Sequence, residues 1–262
     1  MALLALSTAG IAPADVVLHG KMRVLVLDRG EGETVTRYRP DRRSEDFAFD
    51  RSDGKHMRTI VRLDKRVIWW INFAESTYTE VGFDHARSVV DSFPARPKSG
   101  PSAWRELGHG TVAGVPVRRL TWSDTIPHAP PGSKMRGDVW MASATGVPPD
   151  VEAFERELAK TGVLGRVNSI PSPIRGMGAA LPAGMPMRVR TLFAAPGMND
   201  TRATLPAATP VDSMRALGFG PEQGGVELNW FEVTRIREEP VPDGLYEPPP
   251  GFRKKMLEPR KR

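Results

Sequence analysis

Histidine, serine, carboxylate and methionine side chains are the groups in this 262-residue chain that could do chemistry, and their spacing narrows which chemistry. The five histidines, His19, His56, His85, His109 and His128, are scattered. None pairs at i,i+3 or i,i+4 with another histidine or with a carboxylate in the manner of HxxxH or HExxH metal sites. The absence of cysteine excludes disulfides, thiolate zinc sites, cysteine nucleophiles and a lipidated N-terminal cysteine. No serine sits in a G-x-S-x-G elbow, and SGPSAW places Pro101 where a strained strand-to-helix turn is needed. Pro182 interrupts GMGAALPAG, which lacks the βα unit of a dinucleotide site. Glu238 with Glu239, and Asp53 with Asp64, read as turn or strand-end charges. No catalytic residue, metal or cofactor is expected, and the chain reads as a non-enzyme.

What remains is apolar recognition. Met177, Met185 and Met187 flank a stretch rich in glycine and proline, and unbranched polarizable side chains suit the mouth of an adaptable cavity. Trp69 and Trp70 are adjacent, so on a strand they point to opposite faces. Phe154 and Leu158, with Val151, form the narrow apolar stripe of PPDVEAFERELAKTG. Each of these residues has two readings, ligand wall or core packing, and spacing leaves both open.

The elements that position them are mostly strands. Val16, Leu18, Gly20, Met22, Val24 and Val26 alternate with polar residues from Asp15 onward, with Gly20 as a bend or bulge. Thr34 to Arg39, His56 to Leu63 and the hairpins of VRLDKRVIWWINFAESTYTEV follow, giving about five strands in the first third of the chain. Asp84 opens a short helix that Pro94 stops, and Asp150 opens the longer one that Gly162 ends. Trp104 to Val112, Val115 to Ser123, Lys134 to Ala142, Met187 to Phe193, Arg202 to Ala207 and Val226 to Glu238 add further strands. Residues 163–186 break every pattern, and a loop of that length is functional or mobile. Tyr246, Pro248 to Pro250 and Phe252 read as a strap back across one mouth of the sheet. A sheet this large curls or closes around something. Trp69's face is then set against the helices and Trp70's face under a loop, partner or ligand, with the reverse assignment open.

Composition bounds the setting. No run of 18 apolar residues marks a membrane-spanning helix. The formal charge of +6 is concentrated at one end, where Arg253, Lys254, Lys255, Arg260, Lys261 and Arg262 face Glu258 alone. A basic tail without interleaved aromatics argues against nucleic acid, and peripheral contact with anionic lipid suits it better. The opening MALLALSTAGIAPA is small and apolar, and Ala12-Pro13-Ala14 fits a signal-peptidase site, although a basic n-region is missing.

RLDKRVIWWINFAESTYTEV, TVAGVPVRRLTW, GDVWMA followed by GVPPDVEAFERELAK, LPAGMPMRVRTLF and VTRIREEPVPDGLYEPPPGFRKK together resemble bacterial extracytoplasmic domains of the LolA/LolB lipoprotein-carrier superfamily, over roughly residues 15 to 255 in order. The resemblance implies an incomplete antiparallel β-barrel around helices, with an apolar cavity for acyl chains. Two departures stand out. Without cysteine the chain cannot be anchored as LolB is, and the arginine on which LolA-type carriers depend is assigned to no residue here.

The expectation is therefore a mainly β (α+β) protein, an incomplete antiparallel β-barrel of about ten or eleven strands wrapped around two or three helices. Residues 1–14 would be a signal peptide, 15–252 a single LolA-like half-barrel and 253–262 a basic tail. The place of action is periplasmic or otherwise extracytoplasmic. The expected partner is an apolar small molecule, a lipid or a lipoprotein, bound by Trp69, Trp70, Phe154, Leu158, Met177, Met185 and Met187. The alternative is a protein–protein interaction module of an envelope complex.

Overall fold

The structure is a computed structural model that describes residues 14–24, 30–50, 56–91, 104–125, 134–163, 184–194 and 226–256. Six strands come first: β1 (Asp15–Val24), β2 (Gly30–Arg39), β3 (Arg42–Phe49), β4 (His56–Arg62), β5 (Val67–Asn72) and β6 (Thr77–Gly82). Helix α1 (Phe83–Asp91) leads to β7 (Arg105–Val112), β8 (Val115–Thr125) and β9 (Lys134–Ala142). Helix α2 (Pro149–Lys160) precedes β10 (Met185–Ala194), β11 (Val226–Glu239) and the short β12 (Arg253–Lys255).

All twelve strands form one open sheet in the order β12-β6-β5-β4-β3-β2-β1-β11-β10-β9-β8-β7. Pairing is antiparallel except between β12 and β6. The mainly β expectation holds, but the described residues give twelve strands where ten or eleven were expected, with two α-helices. The two strands absent from the sequence reading are β3 and β12. The strand expected at Arg202 to Ala207 lies outside the described residues, as do most of the 163–186 loop and the leader.

Hairpins set the register of the first half. Arg66, Ser76 and Ala113 adopt positive φ at the β4–β5, β5–β6 and β7–β8 turns, the last completed by Gly114 at φ 80°. Two successive left-handed residues make the tight turn whose twist matches the flanking strands. At Gly20 the β1–β11 register shifts, as a bulge there requires. An added Cβ would stand 3.0 Å from the Phe231 ring, so glycine admits that aromatic onto the strand.

The two faces are covered differently. On the inner face, Val16, Leu18, Tyr38, Val61, Ile68 and Val81 pack against Phe83 and Ala86 of α1 and Val151, Phe154 and Leu158 of α2. The outer face of β4 and β5, with Ile60, Val67, Trp69 and Ile71, packs with Phe73, Tyr78 and Phe252. The C-terminal segment therefore runs over the outer face rather than across a mouth. Tyr246 anchors it by donating its hydroxyl to Asp15 Oδ2 at 2.8 Å, and Arg39 ties both Asp15 and Asp243. Beyond it, Lys254 Nζ donates to Glu80 at 2.7 Å and Lys255 pairs with Glu75, so the start of the basic run is built into the sheet edge.

Helix starts also differ from expectation. The residue preceding α2 is Pro148, with no side-chain cap, and Pro149 occupies its first position, where a missing N–H costs little. Asp150 and Glu152 instead lie in the first turn, complementing the positive end of the helix.

Candidate functional site

The inner face of β2 to β6 can be followed row by row through the strand register. The row beneath the helices runs Tyr38, Arg43, Val61, Ile68 and Val81. The next row runs Thr36, Glu45, Thr59, Trp70 and Thr79. The third runs Thr34, Phe47, Met57, Asn72 and Thr77. In the next two rows cover gives out at β4 and β5, while Thr34, Thr36, Glu45 and Thr77 stay buried. Trp70 is 37% exposed and its diagonal neighbour Met57 is 36% exposed, although both lie on the face that is core under the helices.

Trp70 is thus on the helix-bearing side and Trp69 on the other, the reverse of the assignment first taken from the sequence. Both sides of β5 are apolar and both are partly covered, so strand parity alone could not choose between them. Trp69 is buried, donates its indole N–H to Glu80 Oε2 at 2.9 Å and carries Lys65 Nζ 5.4 Å from its ring centroid. It cannot share one ligand with Trp70.

The methionines fall nearby. Met187 is fully buried in a second apolar cluster with Met22, Phe49, Trp140, Phe231 and Val233. Partly buried Met185 touches both this cluster and the helix-covered one, as do Val147 and Ile236. Phe47 borders the second cluster, which links it to the exposed Met57–Trp70 surface. An open groove of about 440 Å³ is lined by Met22, Phe49 and Trp230 together with Lys21, Glu33 and Asp50 at the ends of β1 to β3. Of the seven residues expected at the site, Trp70, Phe154, Leu158, Met185 and Met187 border this inner face, Trp69 does not, and Met177 lies outside the described residues.

Sequence reasoning missed the polar members. Arg43 Nη1 donates to Glu155 Oε1 at 2.9 Å, and the Tyr38 hydroxyl donates to the same oxygen at 3.3 Å. The Arg43 guanidinium also lies 5.6 Å from the Phe154 ring centroid, and Phe154 meets Tyr38 edge-on at 5.7 Å. Together these contacts fasten α2 to β2 and β3. Next in the strand, Glu45 is only 4% exposed. Burial pushes its carboxyl up to about 7, against the pull of Arg43, with Glu155 and Asp46 adding to the rise.

That shift has a direction in stability. The folded state holds the Glu45 proton more tightly than the unfolded chain, whose carboxyl titrates near 4.3. Its contribution is fully present below that value and is lost as pH rises through about 7. Glu45→Gln is expected to flatten the change in stability between pH 5 and pH 8 by roughly 1–3 kcal/mol. Urea midpoints of both proteins at the two pH values measure it, and identical pH slopes would remove Glu45 from the account.

Histidines find carboxylates singly. His56 Nε2 lies 2.7 Å from Asp46 Oδ1 and stacks on Phe73, and exposed His109 lies 3.1 Å from Glu106, an i,i+3 pair where none was expected. Among the described residues no three or more His, Cys, Asp or Glu side chains converge to hold a metal ion. No helix among them is long and apolar enough to cross a membrane.

No protein-family model matches the sequence, and no curated protein matches it. Solved structures offer similarity at low identity. The complex of Pseudomonas aeruginosa MucA and MucB aligns at 11% identity and TM-score 0.37, over 88% of this chain and 54% of that one. The Mycobacterium tuberculosis lipoprotein LppX aligns at 15% identity and TM-score 0.30, over 50% of this chain and 73% of that one. LprF from Mycobacterium bovis aligns at 10% identity and TM-score 0.30, over 88% and 87%. The chain spans about half the length of the MucB chains it matches. At such identities and TM-scores these likenesses assign neither a family nor a ligand, and the site is defined by its own geometry.

Proposed function

We propose that this protein is an extracytoplasmic binding protein that holds an apolar ligand, the acyl chain of a lipid or lipoprotein, against the open half of its inner face. One observation carries the reading. Trp70 and Met57 are large, apolar and more than a third exposed on a face that is sealed core under the helices, one row from Trp70. Apolar surface of this kind, continuous with buried methionine and phenylalanine, is covered at a gain of about 0.8 kcal/mol for each CH₂ a ligand buries. The LolA/LolB-like motifs and the leader-like first residues support both the ligand class and the place of action.

Native mass spectrometry of the protein purified from its own envelope tests this. A mass excess in the acyl-lipid range that disappears on denaturation is expected. An empty protein that also shows no thermal shift with added acyl lipids would contradict the reading. A second reading, an interaction module without ligand, is favoured by β7, which among the described residues pairs with β8 alone and exposes nearly all its side chains. Under it the same purification yields an envelope protein in place of a lipid.

A further inference from the structure

The open half of the inner face is not lined as a hydrocarbon-only pocket would be. Thr36, Glu45, Thr59 and Thr79 lie in one register row with Trp70, and Thr34 and Asn72 flank Met57 and Phe47 in the next. Exposure along the first row rises from Glu45, at 4%, through half-buried Thr59 to Trp70, at 37%. A chain lying over Trp70 therefore brings its polar end onto Thr59, with Glu45 behind it. Glu45 already accepts a hydrogen bond from the Thr36 hydroxyl, and a carboxylate has further lone pairs, so a ligand that brings a hydrogen-bond donor to Thr59 meets acceptor capacity at the neighbouring position of the row.

Charge narrows the class further. Among the described residues, the ionisable groups around this point are Tyr38 from β2, Arg43 and Glu45 from β3 and Glu155 from α2, while Asp46 lies on the outer face with Arg58 and Arg37. Arg43 is already engaged by Glu155. The surplus is one carboxylate, which repels an anionic group and accepts hydrogen bonds from hydroxyl or amide donors.

Resting on the lipid-binding reading above, we infer that Glu45, with Thr59 beside it, selects neutral acyl compounds bearing hydroxyl or amide donors, such as acylglycerols, over acyl chains ending in a free carboxylate or phosphate. Glu45 acts as acceptor to the donor group, Thr59 donates to or accepts from the same group, and Trp70 covers the first methylenes of the chain.

The test compares dodecanoate with monododecanoylglycerol, each displacing a fluorescent acyl probe from the full chain below its micellar concentration at pH 8, above the value of about 7 for Glu45. The wild type is expected to bind the monoglyceride at least about 10-fold more tightly. Glu45→Gln should strengthen dodecanoate about 10-fold while shifting the monoglyceride by no more than about 3-fold. Thr59→Val should weaken only the monoglyceride, by roughly 3- to 10-fold, and serves alone if Glu45→Gln does not fold. Equal wild-type affinities, or a preference unchanged in both variants, overturn the selectivity and leave acyl binding standing. Displacement by neither compound overturns both.

Discussion

Phe154→Ala is expected to lower the unfolding free energy by about 3–5 kcal/mol, read from the denaturant midpoint. The ring is fully buried, and it is the central member of the three apolar side chains that α2 places on the sheet. The space it leaves cannot collapse easily. Tyr38 borders it edge-on, and the Arg43 guanidinium that lies over the ring is held in place by Glu155. Loss of the ring also removes apolar cover from a partly buried ion pair, and water then competes more strongly for the Arg43–Glu155 hydrogen bond that fastens the helix. Because α2 packs through one narrow stripe, the change should be seen in its own amide exchange before the rest of the sheet opens. A loss below about 1 kcal/mol would mean that α2 is not docked on the sheet, since exposed aromatic positions alone give values that small.

The parts of this molecule that were legible in the sequence are those in which polarity alternates or repeats with one period. Leu18 and Met22 of β1, the stripe of α2 and the hairpins around Trp69 and Trp70 are of this kind. β3 was not legible, and its residues explain why. Arg43 and Glu45 point inward, where an apolar residue signals a strand, and Ser44 and Asp46 point outward, Asp46 into ion pairs with Arg37 and Arg58. Polar side chains on both faces read as a loop. The site's polar half was therefore hidden with the strand that carries it.

The choice of face for Trp69 and Trp70 failed for a different reason. Ile60, Trp69 and Ile71 lie under the C-terminal segment, and Val61, Ile68 and Val81 lie under the helices. Two buried faces give no alternation to read, and the deciding contact, Phe252 against the outer face, joins residues about 180 positions apart. β12 was missed in the same way. Three basic residues look solvated in sequence, and only their parallel backbone pairing with β6, tied by Lys254 to Glu80 and Lys255 to Glu75, makes them a strand. Met185 and Met187 stand at the bulge between Pro186 and Arg188, an irregular gap of the kind that thioether side chains fill.

The exposed Trp70–Met57 surface gives the most direct measurement of the central claim, that an acyl chain occupies the open half of the inner face. Bromine atoms on an acyl chain quench indole fluorescence only at contact distance. The chain contains six tryptophans, of which Trp70 is the one more than a third exposed on the inner face among the described residues. Trp69, its neighbour in sequence, is closed off on the outer face by Phe252 and bonded to Glu80. Titration with a brominated fatty-acid monoglyceride is therefore expected to quench the wild type, and Trp70→Phe should remove the larger part of that quenching while Trp69→Phe leaves it unchanged. Quenching that survives Trp70→Phe, or that is lost in Trp69→Phe, would place the chain elsewhere and contradict the account.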